Sequence, residues 1–219
     1  MNPGQFASAV RTELEQLSDS DLARPMAAYM KGQFAFLGIK TPARRAATRP
    51  LISAQSTDLV ACAQALWELP FREYQYVACN LLQRRADMLP RSSLPSILKL
   101  VTQKSWWDTV DPLSKVAGAI VMNFPDLAAR VDGLATHSNM WLRRVAILQQ
   151  LGYGKRTNAD RLFSICLANA TDPEFFIRKS IGWALREYAR HDPAAVRRFL
   201  KQHHETFSAL TLREAGKHL

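Results

Sequence analysis

Four short segments that each begin with an aromatic residue recur along this chain. They are Phe71-Arg72-Glu73-Tyr74, Trp107-Asp108-Thr109-Val110, Trp141-Leu142-Arg143-Arg144 and Phe176-Ile177-Arg178-Lys179, at spacings of 36, 34 and 35 residues. A period of this length is the signature of stacked helical pairs, in which no repeat buries its apolar face without its neighbours. Between these segments apolar residues return at three- and four-residue steps, as in Val145 to Leu151, and strand-like alternation is absent. Breakers at Pro90, Pro125, Gly152 and Pro193 punctuate the pattern. The expectation is an all-α helical-repeat solenoid whose concave wall gathers equivalent residues into one groove. At typical helix lengths of ~11–12 residues it should hold roughly ten or more helices. Thr41-Pro42, Asp172-Pro173 and Asp192-Pro193 read as helix starts, a capping residue followed by a proline at the first helical position. Gly216 interrupts an otherwise helical C-terminus, and with no linker or low-complexity stretch in the interior, residues 1–219 read as a single domain.

The charge of this solenoid points to a polyanionic partner. Lys and Arg total 29 against 19 Asp and Glu, a net +10 with pI near 9.9, and from Trp141 to Leu219 there are 14 basic and 7 acidic residues. Cys62, Cys79 and Cys166 lie in apolar helical contexts and read as reduced core thiols. Arg11, Glu13 and Glu15 interrupt any signal-peptide core. The longest apolar run, Val116 to Met122, is far short of the ~18 residues that span a bilayer. The reading is a soluble intracellular protein with no membrane partner. The five histidines lack HxxxH or HExxH spacing, no cysteine has a nearby second ligand, and neither GxxxxGK[ST] nor GxGxxG occurs. No metal, nucleotide or redox cofactor is expected.

Three pairings of an aromatic with a charge stand out. Trp107 and Asp111 are four apart, Trp141 and Arg144 three apart, and Trp183 and Arg186 three apart, so each pair shares a helix face. Trp106 and Trp107 diverge by about 100° in a helix, so one packs and the other, Trp107 with Asp111 beside it, faces a groove. A carboxylate in a cationic groove repels phosphate and is better explained by chemistry than by affinity; the alternative for Asp111 is a surface ion pair or a helix-start charge, with Asp108 as competitor. Trp183 is either core or groove, and Arg186 and Arg190 continue its stripe, where they also suit the helix C-terminus. With Thr41 as cap, Arg44 and Arg45 fall near a helix N-terminus, where cations are disfavoured by ~0.3–1 kcal/mol each. Either a bound phosphate resolves this conflict, or both are simply solvated.

Taken in order, these motifs resemble the AlkD family of bacterial DNA alkylation repair proteins, which are HEAT-like repeat DNA glycosylases. The resemblance runs through Pro25 to Lys31, Phe36 to Pro42 with Arg44 and Arg45, Leu66 to Pro70, Lys104 to Asp111, Trp141 to Arg144, Phe175 to Lys179, Ile181 to Trp183, Leu185 to Ala189 and Arg213 to Ala215. It implies that Trp107, Trp183 and Tyr29 cradle the damaged nucleotide, that Asp111 is the catalytic carboxylate, and that Arg144 contacts the DNA backbone near the lesion. Thr41, Arg44, Arg45, Arg186 and Arg190 complete the expected DNA-binding set.

The implied activity is monofunctional hydrolysis of the N-glycosidic bond of cationic N3- and N7-alkylated purines in duplex DNA, without base flipping. The products are a free base and an abasic site, which initiates base excision repair. The implied protein works as a monomer on double-stranded DNA in the bacterial cytoplasm, associated with the nucleoid when bound. The rival reading is a non-catalytic HEAT-like module that binds damaged or structured DNA.

Overall fold

The structure, a computed structural model, describes residues 1–219 apart from the side chain of His218. Thirteen α-helices are found among the described residues, with no β-strand; Ala35 and Phe71 form one isolated parallel bridge. The helices pack as two compact units, Met1–Ser96 and Ile97–Leu219. The first holds α1 (Pro3–Glu15), α2 (Ser20–Tyr29), α3 (Thr41–Ala54), α4 (Leu59–Glu68) and α5 (Arg72–Arg84). The boundary falls inside α6 (Leu94–Val101). The second unit continues with α7 (Trp107–Asn123), α8 (Ala128–Asp132), α9 (Met140–Leu148), α10 (Ala159–Ala168), α11 (Phe175–Ala189), α12 (Pro193–Gln202) and α13 (Ala209–Ala215). No described helix is long and apolar enough to cross a membrane.

The recurring aromatics mark helix starts. Phe71 is the N-cap of α5, Trp107 opens α7, and Trp141 and Phe176 are the second residues of α9 and α11. Each repeat thus turns into a new helix within one residue of its leading aromatic. The three cysteines are buried free thiols.

Local capping explains several of the starts. In α1 the Asn2 side chain accepts from the Gln5 N–H at 2.9 Å and the Gln5 side chain accepts from the Asn2 N–H at 3.1 Å, a reciprocal capping box, while Phe6, Val10 and Leu14 line one buried face. Asp192 caps α12 as expected, accepting from Ala195 N–H at 2.9 Å with Pro193 behind it. Two other starts differ from the sequence reading. The N-cap of α3 is Lys40, which makes no side-chain cap, and Thr41 and Pro42 are the first two helical residues. At Asp172-Pro173 the helix begins only at Phe175, because Asp172 turns its carboxylate to the Glu174 N–H and to Arg143, both at 2.9 Å. Gly216 sits just past α13 as its C-cap rather than inside it.

Two glycines let helices approach closely. A Cβ on Gly118 of α7 would lie 1.9 Å from the carbonyl oxygen of Gln149, and one on Gly182 of α11 would lie 2.4 Å from Cβ of Glu214. At Gly118 the obstacle is backbone, and the Tyr153 hydroxyl donates to the Gly118 carbonyl at 2.6 Å, so α7 cannot easily withdraw. Gly118→Ala should therefore lower stability by ~1–3 kcal/mol, as overpacking does. Thermal or urea denaturation reads this directly, and an unchanged midpoint would mean the helices separate freely.

Candidate active site at the start of α7

Residues 107 to 111 form the first turn and a half of α7. Trp106 precedes them in an extended conformation, with φ of −159°, and acts as the N-cap. Its ring leaves the helix surface and packs against Trp141 at 5.8 Å and Phe176 at 5.1 Å; those two rings are 5.2 Å apart. The three aromatics form a triangle of tilted and edge-on contacts, the arrangement that ring quadrupoles prefer. The two tryptophans are thus separated by the helix boundary as well as by rotation: Trp106 packs on the other two rings, and both tryptophans are half-buried.

Asp111 lies one turn after Trp107 and meets Arg144 of α9 in a bidentate pair, with Nε to Oδ1 at 2.7 Å and Nη2 to Oδ2 at 2.9 Å. The remaining terminal nitrogen of Arg144, Nη1, donates to the Phe176 carbonyl of α11. The Asp111 side chain keeps 13% of its surface open and that of Arg144 only 6%. Arg144, which the resemblance offers as a DNA-backbone contact, thus directs its guanidinium inward. Asp111 repels phosphate less than a lone carboxylate does, because a guanidinium at hydrogen-bond distance compensates its charge.

Burial pushes the Asp111 carboxyl above its ordinary value, the hydrogen bonds and charge of Arg144 pull it back in part, and Asp108 in the same turn adds to the rise. Folded protein therefore holds this proton more tightly than unfolded chain does. The group's contribution to stability falls as pH rises from the ordinary value to the raised one and is flat above. The ionised form predominates only above the raised value.

The other expected residues divide by environment. Trp183 of α11 is half-buried against the apolar core of the second unit. Arg186 donates to Glu214 of α13 at 2.9 Å, and the Glu214 carboxyl, held chiefly by Lys217 at 2.7 Å, lies below the usual carboxylate range. Arg190 sits at the end of α11 in a loose pair with Glu187 at 3.3 Å. In the first unit, Tyr29 ends α2 with 71% of its surface exposed. Arg44 and Arg45 part company: Arg44 is buried with its guanidinium 4.6 Å from the Tyr76 ring centroid, and Arg45 is exposed. The two do not act as a fork on one phosphate at the start of α3, because consecutive helical residues point to different faces.

Sequence reasoning missed Glu73. Its buried carboxylate accepts from the N–H groups of Leu37, Gly38 and Ile39 at 3.0, 3.0 and 3.1 Å, pinning the segment that leads into α3. Gly38, at φ of +90°, lies so close to Asp19 that a Cβ would come within 1.9 Å of its carbonyl oxygen. The signal was a charged residue inside an aromatic-led repeat, with nothing local to show what it holds. Among the described residues no group of three His, Cys, Asp or Glu side chains is placed to hold a metal ion.

A family model described as DNA alkylation repair enzyme matches residues 10–219. The chain belongs to that family. A solved structure titled as a predicted DNA alkylation repair enzyme from Enterococcus faecalis is 34% identical, covers 92% of this chain and 96% of its own, and superposes with a TM-score of 0.84. No curated protein matches the chain. Family membership makes DNA the substrate.

The titration of that carboxylate is a direct check on the geometry. By carboxyl NMR, Asp111 should titrate above the ordinary 3.8, and Arg144→Met should move the midpoint further up by removing the partner that lowers it. A midpoint unmoved by the substitution would mean that the bidentate pair is absent in solution.

Proposed function

We propose that the protein is a monofunctional DNA glycosylase that removes cationic N3- and N7-alkylated purines from duplex DNA, with Asp111 as its catalytic carboxylate. The observation that carries this reading comes from the repeat register. The positions equivalent to Asp111, four residues after each leading aromatic, are Gln75, Val145 and Ser180, and all three are sealed in the core. Only in the repeat of α7 is the position a carboxylate with part of its surface open. A residue that only filled the stack would have no need of either feature.

Alkylation at N3 or N7 leaves the purine positively charged, so the C1′–N bond breaks with its electron pair returning to the base. The base departs neutral and needs no acid. Positive charge accumulates on the deoxyribose, where a fixed carboxylate stabilises it more than it stabilises the ground state. Water then adds to C1′ and gives up a proton, leaving an abasic site. Arg144 is the positioning residue: it holds both oxygens of Asp111 in one orientation, so little reorganisation is needed as the charge develops. Trp107 and Trp183 offer π faces to the same charge, each a contribution of ~0.5–2 kcal/mol. Tyr29, Thr41, Arg45 and Arg190 are assigned to holding DNA, with Arg44 and Arg186 supporting them from more enclosed positions.

Neutral lesions should be poor substrates, because their bases would need a proton to leave. The match over residues 10–219 runs through both compact units, which we read as one functional domain; we assign it to act as a monomer on duplex DNA.

One observation favours the second reading, a non-catalytic DNA-binding module: both oxygens of Asp111 already accept from Arg144, so the carboxylate has a structural use of its own. Asp111→Asn separates the two, because asparagine keeps one acceptor for Arg144 while losing the charge. On methylated duplex DNA the wild type should release 3-methyladenine or 7-methylguanine. The variant, checked by melting and by DNA affinity, should lose ~10²-fold or more of the single-turnover rate. Wild-type excision should also decline toward acid pH as Asp111 takes up its proton, an acid limb absent from the variant. Equal rates in the two proteins would overturn the assignment, and DNA binding without base release would establish the module instead.

A further inference from the structure

Within the first unit, α3 and α5 enclose an open hollow of about 400 Å³ whose rim carries three guanidiniums, those of Arg45, Arg49 and Arg84. We propose that this hollow is a phosphodiester subsite that grips the backbone of duplex DNA independently of the carboxylate on α7. The inference rests on DNA being the partner, and it adds Arg49, Arg84, Asn80 and Gln83 to the binding surface.

Three observations carry it. Arg45 and Arg49 are i,i+4 neighbours on α3, a like-charge spacing that destabilises a helix, and α3 contains no acidic residue to relieve it. All three arginines are exposed and none pairs with a carboxylate among the described residues. This contrasts with Arg143, Arg144, Arg161 and Arg186 in the second unit, each of which is committed to an Asp or Glu. Asn80, on the α5 side of the hollow, has a buried side-chain oxygen, Oδ1, that accepts no protein hydrogen bond.

Repulsion without a counter-charge is relieved by an anion carrying several acceptor oxygens, while Asn80 Oδ1, itself an acceptor, is met by a water of that anion's hydration shell rather than by the anion. The hollow is larger than a phosphate group alone requires, and Ile52 gives it an apolar floor on which a deoxyribose can rest. Its frame is braced: Arg85, next to Arg84, donates to the Ser53 carbonyl of α3 and ties the far ends of the two helices together. Asn80, Gln83 and Arg84 lie three and four residues apart and share a face of α5, so amide and guanidinium donors approach one backbone segment together.

The test measures affinity for undamaged duplex DNA by fluorescence anisotropy over a range of salt, with no excision required, so it stands whether or not Asp111 proves catalytic. The variant is Arg49→Gln with Arg84→Gln. The control, Arg11→Gln with Arg24→Gln, removes the same two charges from exposed sites where each already pairs with an acidic neighbour. The hollow variant should bind about tenfold or more weakly, with the log K against log salt slope reduced by about 1 to 2, while the control stays within about threefold of wild type. Asn80→Asp, which places a carboxylate at the hollow with nearly unchanged shape, should weaken binding in the same direction. Equal losses in the hollow and control variants would reduce the effect to net charge and overturn the subsite, as would wild-type affinity in the hollow variant or in Asn80→Asp.

Discussion

A single guanidinium joins three helices at the place where the chemistry is proposed. Arg144 leaves α9, clasps the Asp111 carboxylate of α7 through two nitrogens and reaches the Phe176 carbonyl of α11 with another. Removing charges from water is expensive, and such a pair persists only when its remaining donors and acceptors are satisfied. Here the Phe176 carbonyl supplies the extra acceptor. Breaking a buried pair by deleting one partner costs about 3–5 kcal/mol, so the link resists any rearrangement that would free the carboxylate. Beside it, Trp106, Trp141 and Phe176 meet ring to ring at the starts of the same three helices. The repeat architecture makes this possible, since equivalent helix starts in successive repeats arrive side by side.

That arrangement reconciles two demands on Asp111. A carboxylate that is to stabilise a developing cation must be ionised and immobile, yet sheltered enough that water does not screen it. Shelter alone raises its proton affinity, and in this protein it does so. The bidentate guanidinium opposes that rise and fixes the orientation. The Asp111 side chain keeps a small part of its surface open, about twice the fraction that Arg144 keeps, which leaves the carboxylate rather than its partner as the group that can meet a sugar. In the first unit a carboxylate under similar shelter does different work: Glu73 is wholly buried, and its hydrogen bonds come from three backbone N–H groups. Burial of an acid is common to both, and access separates the proposed catalyst from the structural clamp.

Much of the architecture was legible because periodicity is a property of the chain alone. The aromatic that leads each repeat marks a helix start four times over, and the all-helical fold follows from apolar spacing. What the chain concealed were contacts between residues distant in sequence. Asp172 and Asp192 both precede proline, yet only Asp192 caps its helix. Arg143 claims the Asp172 carboxylate from 29 positions away, and no local pattern records this. Arg44 and Arg45 are chemically identical neighbours that part because Tyr76 of α5 offers a ring face to only one of them. The pairing of Asp111 with Arg144 spans 33 positions, close to one repeat, so the repeat alignment held the information in a form that side-chain chemistry alone did not reveal.

The same distinction governs how the basic character of the chain should be read. A net charge of +10 suggests a surface dense in cations, but much of that charge faces the protein. Arg44 is buried on Tyr76, Arg72 is buried with its guanidinium 3.7 Å from the Phe34 ring centroid, and Arg143, Arg144, Arg161 and Arg186 each hold a carboxylate. A cation already satisfied inside the fold releases few counterions when DNA arrives, because it attracted few to begin with. Affinity must come from groups still surrounded by water, such as Arg45, Arg49 and Arg84 on the first unit and Arg197, Arg198 and Lys201 on the exposed face of α12. Rigidity around the α7 carboxylate and attraction for a polyanion are thus supplied by different arginines of one chain, and the partner each guanidinium finds in the fold decides which task it serves.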